Sequence, residues 1–176
     1  VRPIPIEDFV FLDETGITTK MTRLYGRAPR GERAHGSAPS NYKKLSILGG
    51  MTVTGICAAM TLECTADTAC FVAFVGEVLV PALRPGQVVV LDNLKPHKAA
   101  KVRKLVEDAG CRLLFLPRYS PELNPIEECW SKIKALLRAL GARSLETLYA
   151  ALDSVLDQVT AADARGWFKH CGYANS

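Results

Sequence analysis

Apolar and polar positions along the chain fall into short blocks with two different periods. Phe9, Val10, Phe11 and Leu12 form an apolar run without a helical stripe, closed by Asp13, Glu14, Thr15 and Gly16. The run predicts a buried strand, and the polar group predicts the turn that ends it. Residues 20–25 are expected to pair back as a second strand, and 26–31, with Gly26, Pro29 and Gly31, to form a loop. Runs at 45–53 and 56–62 predict two more strands joined around Thr54 and Gly55. From 67 to 83 the spacing turns helical, with Phe71, Phe74, Val75, Val78 and Leu79 on one side and Pro85 and Gly86 as the stop. Val88 to Leu91 is again wholly apolar and is closed by Asp92. A helix over 95–109 ends at Gly110, and a strand follows over 112–116. Asn124 and Pro125 open a helix that reaches about Leu140 and stops at Gly141, and Ser144 caps a last helix through about Val159. Antiparallel-type strands followed by alternating strand and helix predict a mixed α/β sheet flanked by helices, within one domain spanning 1–176.

Composition narrows the class. The chain has 176 residues, 48% of them hydrophobic and 23% charged, so intrinsic disorder is excluded and no covalent staple is needed to build a core. Six cysteines lie at 57, 64, 70, 111, 129 and 171 without a C-x-x-C pair, which predicts reduced thiols in a cytosolic setting rather than a zinc or redox site. The longest uncharged run, 45–62, carries Gly49, Gly50, Gly55, Ser46 and threonines, so a β-hairpin is expected there and no membrane span.

The net charge of +4 conceals an uneven distribution. Between Lys20 and Lys44 lie Arg23, Arg27, Arg30, Arg33 and Lys43, with Glu32 as the one acid. Lys95, Lys98, Lys101, Arg103 and Lys104 form a second basic stretch without any acid, so the remainder is net acidic. A bipolar chain of this kind suits a polyanion at one face and a cation-binding acidic site elsewhere. The second stretch fits a solvated helix face equally well, whereas the first, set among Gly and Pro, fits a phosphate-gripping loop.

Asp13 and Asp92 share a context, each directly after four apolar residues. In α/β sheets the reactive crevice lies beyond such strand ends, although an acid there is also a common turn starter. The third candidate is Glu127. With Asn124 as N-cap it occupies N3, where a capping box with Asn124 would also account for it. Ile126, Trp130, Ile133, Leu137 and Leu140 make the apolar stripe of that helix. Glu127 stands at its edge, whereas Glu128 points to water. Three hard oxygen donors without Cys or His at ligand spacing favour Mg²⁺ or Mn²⁺ over zinc. Two such ions on three carboxylates suit phosphodiester cleavage.

Four segments together resemble the catalytic domain of DDE transposases, in the bacterial insertion-sequence branch of the Tc/mariner superfamily. They are 11–16 (Phe-Leu-Asp-Glu-Thr-Gly), the Arg-rich 23–33, 90–93 with His97, and 116–130. Thirty-four residues separate Asp92 from Glu127, a spacing typical of that superfamily, and the last segment is the most specific of the four. The resemblance covers roughly residues 8 to 140. It implies an RNase H-like fold and cut-and-paste transposition, with Asp13, Asp92 and Glu127 as the metal-binding catalytic triad. Water would cleave transposon ends, and the freed 3′-hydroxyl would attack target DNA, usually at TA. DNA contacts are expected from Arg23, Arg27, Arg30, Arg33, Lys95, His97 and Lys98. Asn93 is expected to orient Asp92 or touch DNA, His97 to meet a phosphate or pack a helix start, and Trp130 to be core rather than a base-stacking ring. A homodimer on DNA and a bacterial, nucleoid-associated location follow from the same resemblance. The family's end-binding helix-turn-helix is absent from this sequence, so specific end recognition is not expected of it.

Two other functions compete. Asp13 to Ile17 resembles the aspartyl-nucleophile motif of haloacid dehalogenase-type phosphatases, but the later Gly-Asp element of that class occurs nowhere in the chain. A catalytically retired, DNA-binding descendant of a transposase is the non-enzymatic alternative, and the three carboxylates give it no positive support.

Overall fold

The computed structural model describes residues 4–63, 65–92 and 100–173. Five strands form one sheet in the order β3-β2-β1-β4-β5: β1 Phe9–Thr18, β2 Lys44–Thr52, β3 Gly55–Leu62, β4 Val88–Leu91 and β5 Arg112–Phe115. The first three pair antiparallel, and β4 and β5 join them in parallel. A mixed sheet is therefore present, as the order of elements predicts.

Alternation along β1 and β4 sorts side chains onto two faces. Val10 and Leu12 face one core with Val89 and Leu91; Phe11 and Ile17 face the other with Val88 and Val90. Covering the first face are α1 (Thr68–Ala73), the segment Phe74–Ala82 that follows it, and α2, described over Ala100–Asp108. The second face is covered by α3 (Pro125–Leu140), α4 (Leu145–Leu156) and α5 (Ala161–His170). Among the described residues no helix is long and apolar enough to cross a membrane.

Four elements depart from the sequence expectations. β1 does not stop at Leu12 but continues to Thr18, because residues 11–18 pair without a break with β2. Residues 20–25 form no strand; after the buried Thr19 the chain to Lys43 is a largely exposed connection rooted by Arg143, whose Nη1 donates to the carbonyls of Thr19 (3.2 Å) and Met21 (2.8 Å). The expected single helix over 67–83 has three parts. Asp67 caps α1 by accepting from the Cys70 amide at 2.8 Å, Phe74–Leu79 widens to π geometry, and Val80–Ala82 tightens to 3₁₀. Pro81 lacks the N–H that a continuing helix needs. Beyond Ser144 there are two helices rather than one, each opened by its own capping box: Ser144 with Thr147, and Thr160 with Asp163.

α3 is the central element of its layer. Pro125 starts it, and Gly141 ends it in the left-handed conformation (φ 65°). Ile126, Cys129, Trp130, Ile133 and Leu137 are buried, whereas Leu140, expected on the same stripe, is 57% exposed beside the terminating Gly141. Lys132 ties α3 to the start of α5 through Asp163 (2.6 Å) and the Gln158 carbonyl (2.8 Å). On α5, Phe168 is fully buried, edge-on to Phe11 of β1 with centroids 5.3 Å apart.

That contact makes the last helix part of the core rather than a cover. Phe168→Ala is expected to destabilise the fold by about 3–5 kcal/mol in urea unfolding. A cost under about 1 kcal/mol, the range of ordinary surface changes, would assign α5 a peripheral role.

Candidate active site

Asp13 sits in mid-strand, opposite Gly49 of β2. Its row, Phe11-Asp13-Thr15-Ile17, points to the layer of α3, so the carboxylate occupies a position where alternation would place an apolar side chain. It is 7% exposed. The parallel register pairs Phe11 with Val90, and beyond the end of β4 Asp92 lies near enough for its charge to act on Asp13. Asp92 directly follows the end of β4, as the sequence predicts, and is half-buried.

α3 supplies the rest. One turn into this helix, the Trp130 indole Nε1 donates to Asp13 Oδ2 at 3.2 Å. Its ring lies so close over Gly49 that a Cβ there would come within 2.5 Å of Trp130 Cη2. Glycine at 49 is therefore the room in which the tryptophan reaches the aspartate. Glu127, one helical turn before Trp130, is exposed and lines a cleft of about 380 Å³ together with Asp92, Asn124 and the chain from Leu116 to Pro121. The capping box that would otherwise account for Glu127 is not formed: Asn124 makes no side-chain cap, and its buried Oδ1 has no hydrogen-bond partner. Glu127 therefore faces the cleft without a capping duty, while Glu128 points away, 3.9 Å from His170 Nε2.

The electrostatics follow from this crowding. Burial, then the charge of Glu127 and more weakly that of Asp92, pushes the Asp13 carboxyl up to about 7, against the lowering pull of the Glu14 amide and the Trp130 indole. Among the described residues no three His, Cys, Asp or Glu side chains are grouped closely enough to hold a metal ion as they stand. The chemistry of the donors nevertheless suits a hard divalent cation: the charges of Glu127 and Asp92 raise the cost of ionising Asp13, and the buried Asn124 oxygen, on the cleft with Asp92 and Glu127, is unpartnered.

The structure thus sets Asp92 and Glu127 on one cleft, with the buried Asp13 close enough to feel the charge of both. Arg23, Arg27, Arg30 and Arg33 are exposed on the connection between β1 and β2, and none of them lines that cleft. Arg23 lines a separate depression with Arg138, Gly141 and Arg143, at the opposite end of α3 from Glu127. Asn93, Lys95, His97 and Lys98 lie outside the described residues. Sequence reasoning missed Gly49, the hydrogen bond from Trp130 and the orphaned Asn124 oxygen. Only the Trp130 spacing, three residues after Glu127, gave any local signal.

The fold and the cleft together define an acidic nuclease-type site on a mixed α/β sheet. The sequence profile of the DDE superfamily endonucleases matches residues 8–149, and the chain belongs to that family. No curated protein matches it in sequence. Among solved structures it resembles the Mos1 transposase in a pre-cleavage transpososome (20% identity, TM-score 0.76), covering 96% of this chain and 54% of that one. A Mos1 mariner paired-end complex with Mn matches at 22% identity and TM-score 0.75, covering 95% and 53%. The isolated catalytic domain of Mos1 matches at 18% and 0.67, covering 96% and 79%. The chain thus spans about half the length of the transposase chains in those complexes, and its fold is the RNase H-like fold of their catalytic domain. Membership of the endonuclease family leaves the phosphatase alternative without support.

Two outcomes test this geometry. The folded state holds the Asp13 proton more tightly than the unfolded chain, whose ordinary value is 3.8. Its contribution to stability is therefore complete below about pH 4 and is lost as pH rises through about 7. Without divalent ions, Asp13→Asn is expected to melt about 5 °C above the wild type at pH 8 and level with it at pH 4; Mn²⁺ narrows the gap by stabilising the wild type alone. A pH-independent difference would remove the repulsion argument. Gly49→Ala is expected to displace Trp130 and lower stability by about 1–3 kcal/mol, seen in urea unfolding together with a changed near-ultraviolet tryptophan signal.

Proposed function

We propose that this chain is the catalytic domain of a cut-and-paste DNA transposase that cleaves transposon-end phosphodiesters and transfers the freed 3′-hydroxyl into target DNA, at TA dinucleotides. The observation that carries it is that Asp92, after β4, and Glu127, on α3, line one cleft, while Asp13 in the adjacent strand β1 is buried close enough to feel both charges. Mos1, with the same fold, is known in complexes with its transposon ends and as a strand transfer complex, and in forms with Mg and Mn.

Asp13, Asp92 and Glu127 would hold two Mg²⁺ or Mn²⁺ ions. Bound there, the metal supplies positive charge that acidifies the attacking water or hydroxyl and stabilises the leaving oxygen. The protein's own part is positional. Trp130 fixes Asp13 through its indole N–H, and the buried strand keeps that carboxylate from turning to water. Glu127 lies in the first turn of α3, so the packed helix holds it at the cleft. Arg23, Arg27, Arg30 and Arg33 offer exposed positive charge to the DNA backbone, and Lys95, His97 and Lys98 are assigned the same role from sequence, with Asn93 next to Asp92 in the chain. A homodimer on DNA, in the bacterial nucleoid, completes the proposal, because two transposon ends must be held together for joining.

The test is nicking of supercoiled plasmid in Mn²⁺ by the wild type, Asp92→Asn and Glu127→Gln. Loss of at least a hundredfold in both variants, with unchanged plasmid binding, is expected. Nicking that survives Glu127→Gln removes Glu127 from the triad. A wild type that binds DNA and never nicks favours the retired, DNA-binding alternative.

A further inference from the structure

Tyr119 is the one non-glycine residue with positive φ (59°) among the described residues, and it is 98% exposed. Left-handed backbone disfavours a bulky side chain, and glycine or asparagine would hold this turn at less cost. No packing contact repays the choice, because the ring is almost wholly in water. A strained aromatic that does nothing for the fold is a candidate for contact outside it.

Its surroundings indicate what that contact is. Tyr119 lines the same cleft as Asp92 and Glu127, in the segment where Leu116, Pro117 and Pro121 provide apolar wall and the exposed Arg118 provides positive charge. Phosphate would find one cation there and two carboxylates. A flat, uncharged ring finds an aromatic face and proline edges instead. The flanking Pro117 and Pro121 restrict the backbone and hold the tyrosine in place before any ligand arrives.

We infer that Tyr119 is a stacking platform for a single unpaired nucleobase next to the scissile phosphate. This inference rests on the transposase reading above and adds the DNA distortion that reading leaves open. A base inside a duplex already has both faces covered, so the ring serves only where the strand leaves the helical stack. Tyr119 would thus select a frayed or flipped nucleotide at the cleavage point, and the phenol hydroxyl is dispensable.

The test uses two duplexes and Ca²⁺ in place of Mg²⁺, one carrying 2-aminopurine in a short 3′ overhang and one carrying it fully paired. Wild type and Tyr119→Phe are expected to quench the overhang probe. Tyr119→Asn, which suits the left-handed turn, is expected to leave it bright and bind the overhang roughly tenfold to hundredfold more weakly, at a melting temperature no lower than that of the wild type. Tyr119→Ala should behave as Tyr119→Asn does. Equal quenching by Tyr119→Asn overturns the platform, as does a wild type that nicks plasmid yet leaves the probe bright. A wild type that neither binds nor nicks any DNA refutes the transposase reading first, and the platform with it.

Discussion

A carboxylate held in the middle of a buried strand is the constraint on which the other site features depend. Asp13 lies in a row that elsewhere carries Phe11 and Ile17, so the fold loses an apolar contact there and gains a group that resists ionisation. Two residues make this tolerable. Trp130 brings a hydrogen-bond donor on an otherwise apolar body, and Gly49 gives up its side chain so that the indole can reach across. Remove either, and Asp13 is either unpartnered or displaced. The site is thus stabilised by core packing as much as by polar contacts.

The same helix that steadies Asp13 also carries Glu127. Residues three apart on a helix share a face, so the placement of Trp130 against the sheet sets where Glu127 stands at the cleft. α3 is itself fixed by Ile126, Ile133 and Leu137 in the core and by Lys132 at the start of α5. Sites on rigid elements hold their geometry better than sites on loops, and here two carboxylates belong to paired strands or their ends and the third to a packed helix. The raised affinity of Asp13 for its proton is what such rigidity produces before a counter-charge is present.

Local signals made much of this legible in the sequence. Asp92 after Val88–Leu91, and Glu127 after the Asn124-Pro125 helix start, stand out as candidates because strand ends and helix caps are written in neighbouring residues. Asp13 was identified for a partly mistaken reason. A polar residue after four apolar ones reads as a strand end, yet pairing with β2 carries β1 on to Thr18, since backbone hydrogen bonding is indifferent to the side chain. The non-existent strand at 20–25 follows from the same error, because a strand ended too early needs a partner sooner. Gly49, meeting Trp130 from 81 positions away, and Trp130, bonded to Asp13 across 117, leave no trace in any local period. Nor does the left-handed backbone of Tyr119, which its residue type argues against.

Charge is arranged along α3 in a way that composition alone does not convey. Glu127 stands near its first turn, while Arg138 near its last turn and Arg143 just beyond line the depression shared with Arg23. Eleven residues at 1.5 Å each separate Glu127 from Arg138, about 16 Å along the axis. That is roughly five base-pair steps of a duplex at 3.4 Å each. A polyanion lying along this helix would therefore meet cations at one end and carboxylates at the other. Positive charge at the far end attracts the backbone over the whole approach, whereas the acidic end repels it until a cation reverses the local sign. On the proposed function, binding and cutting are thereby separable: DNA is gripped by arginines that take no part in chemistry, and metal decides when the backbone can enter the cleft.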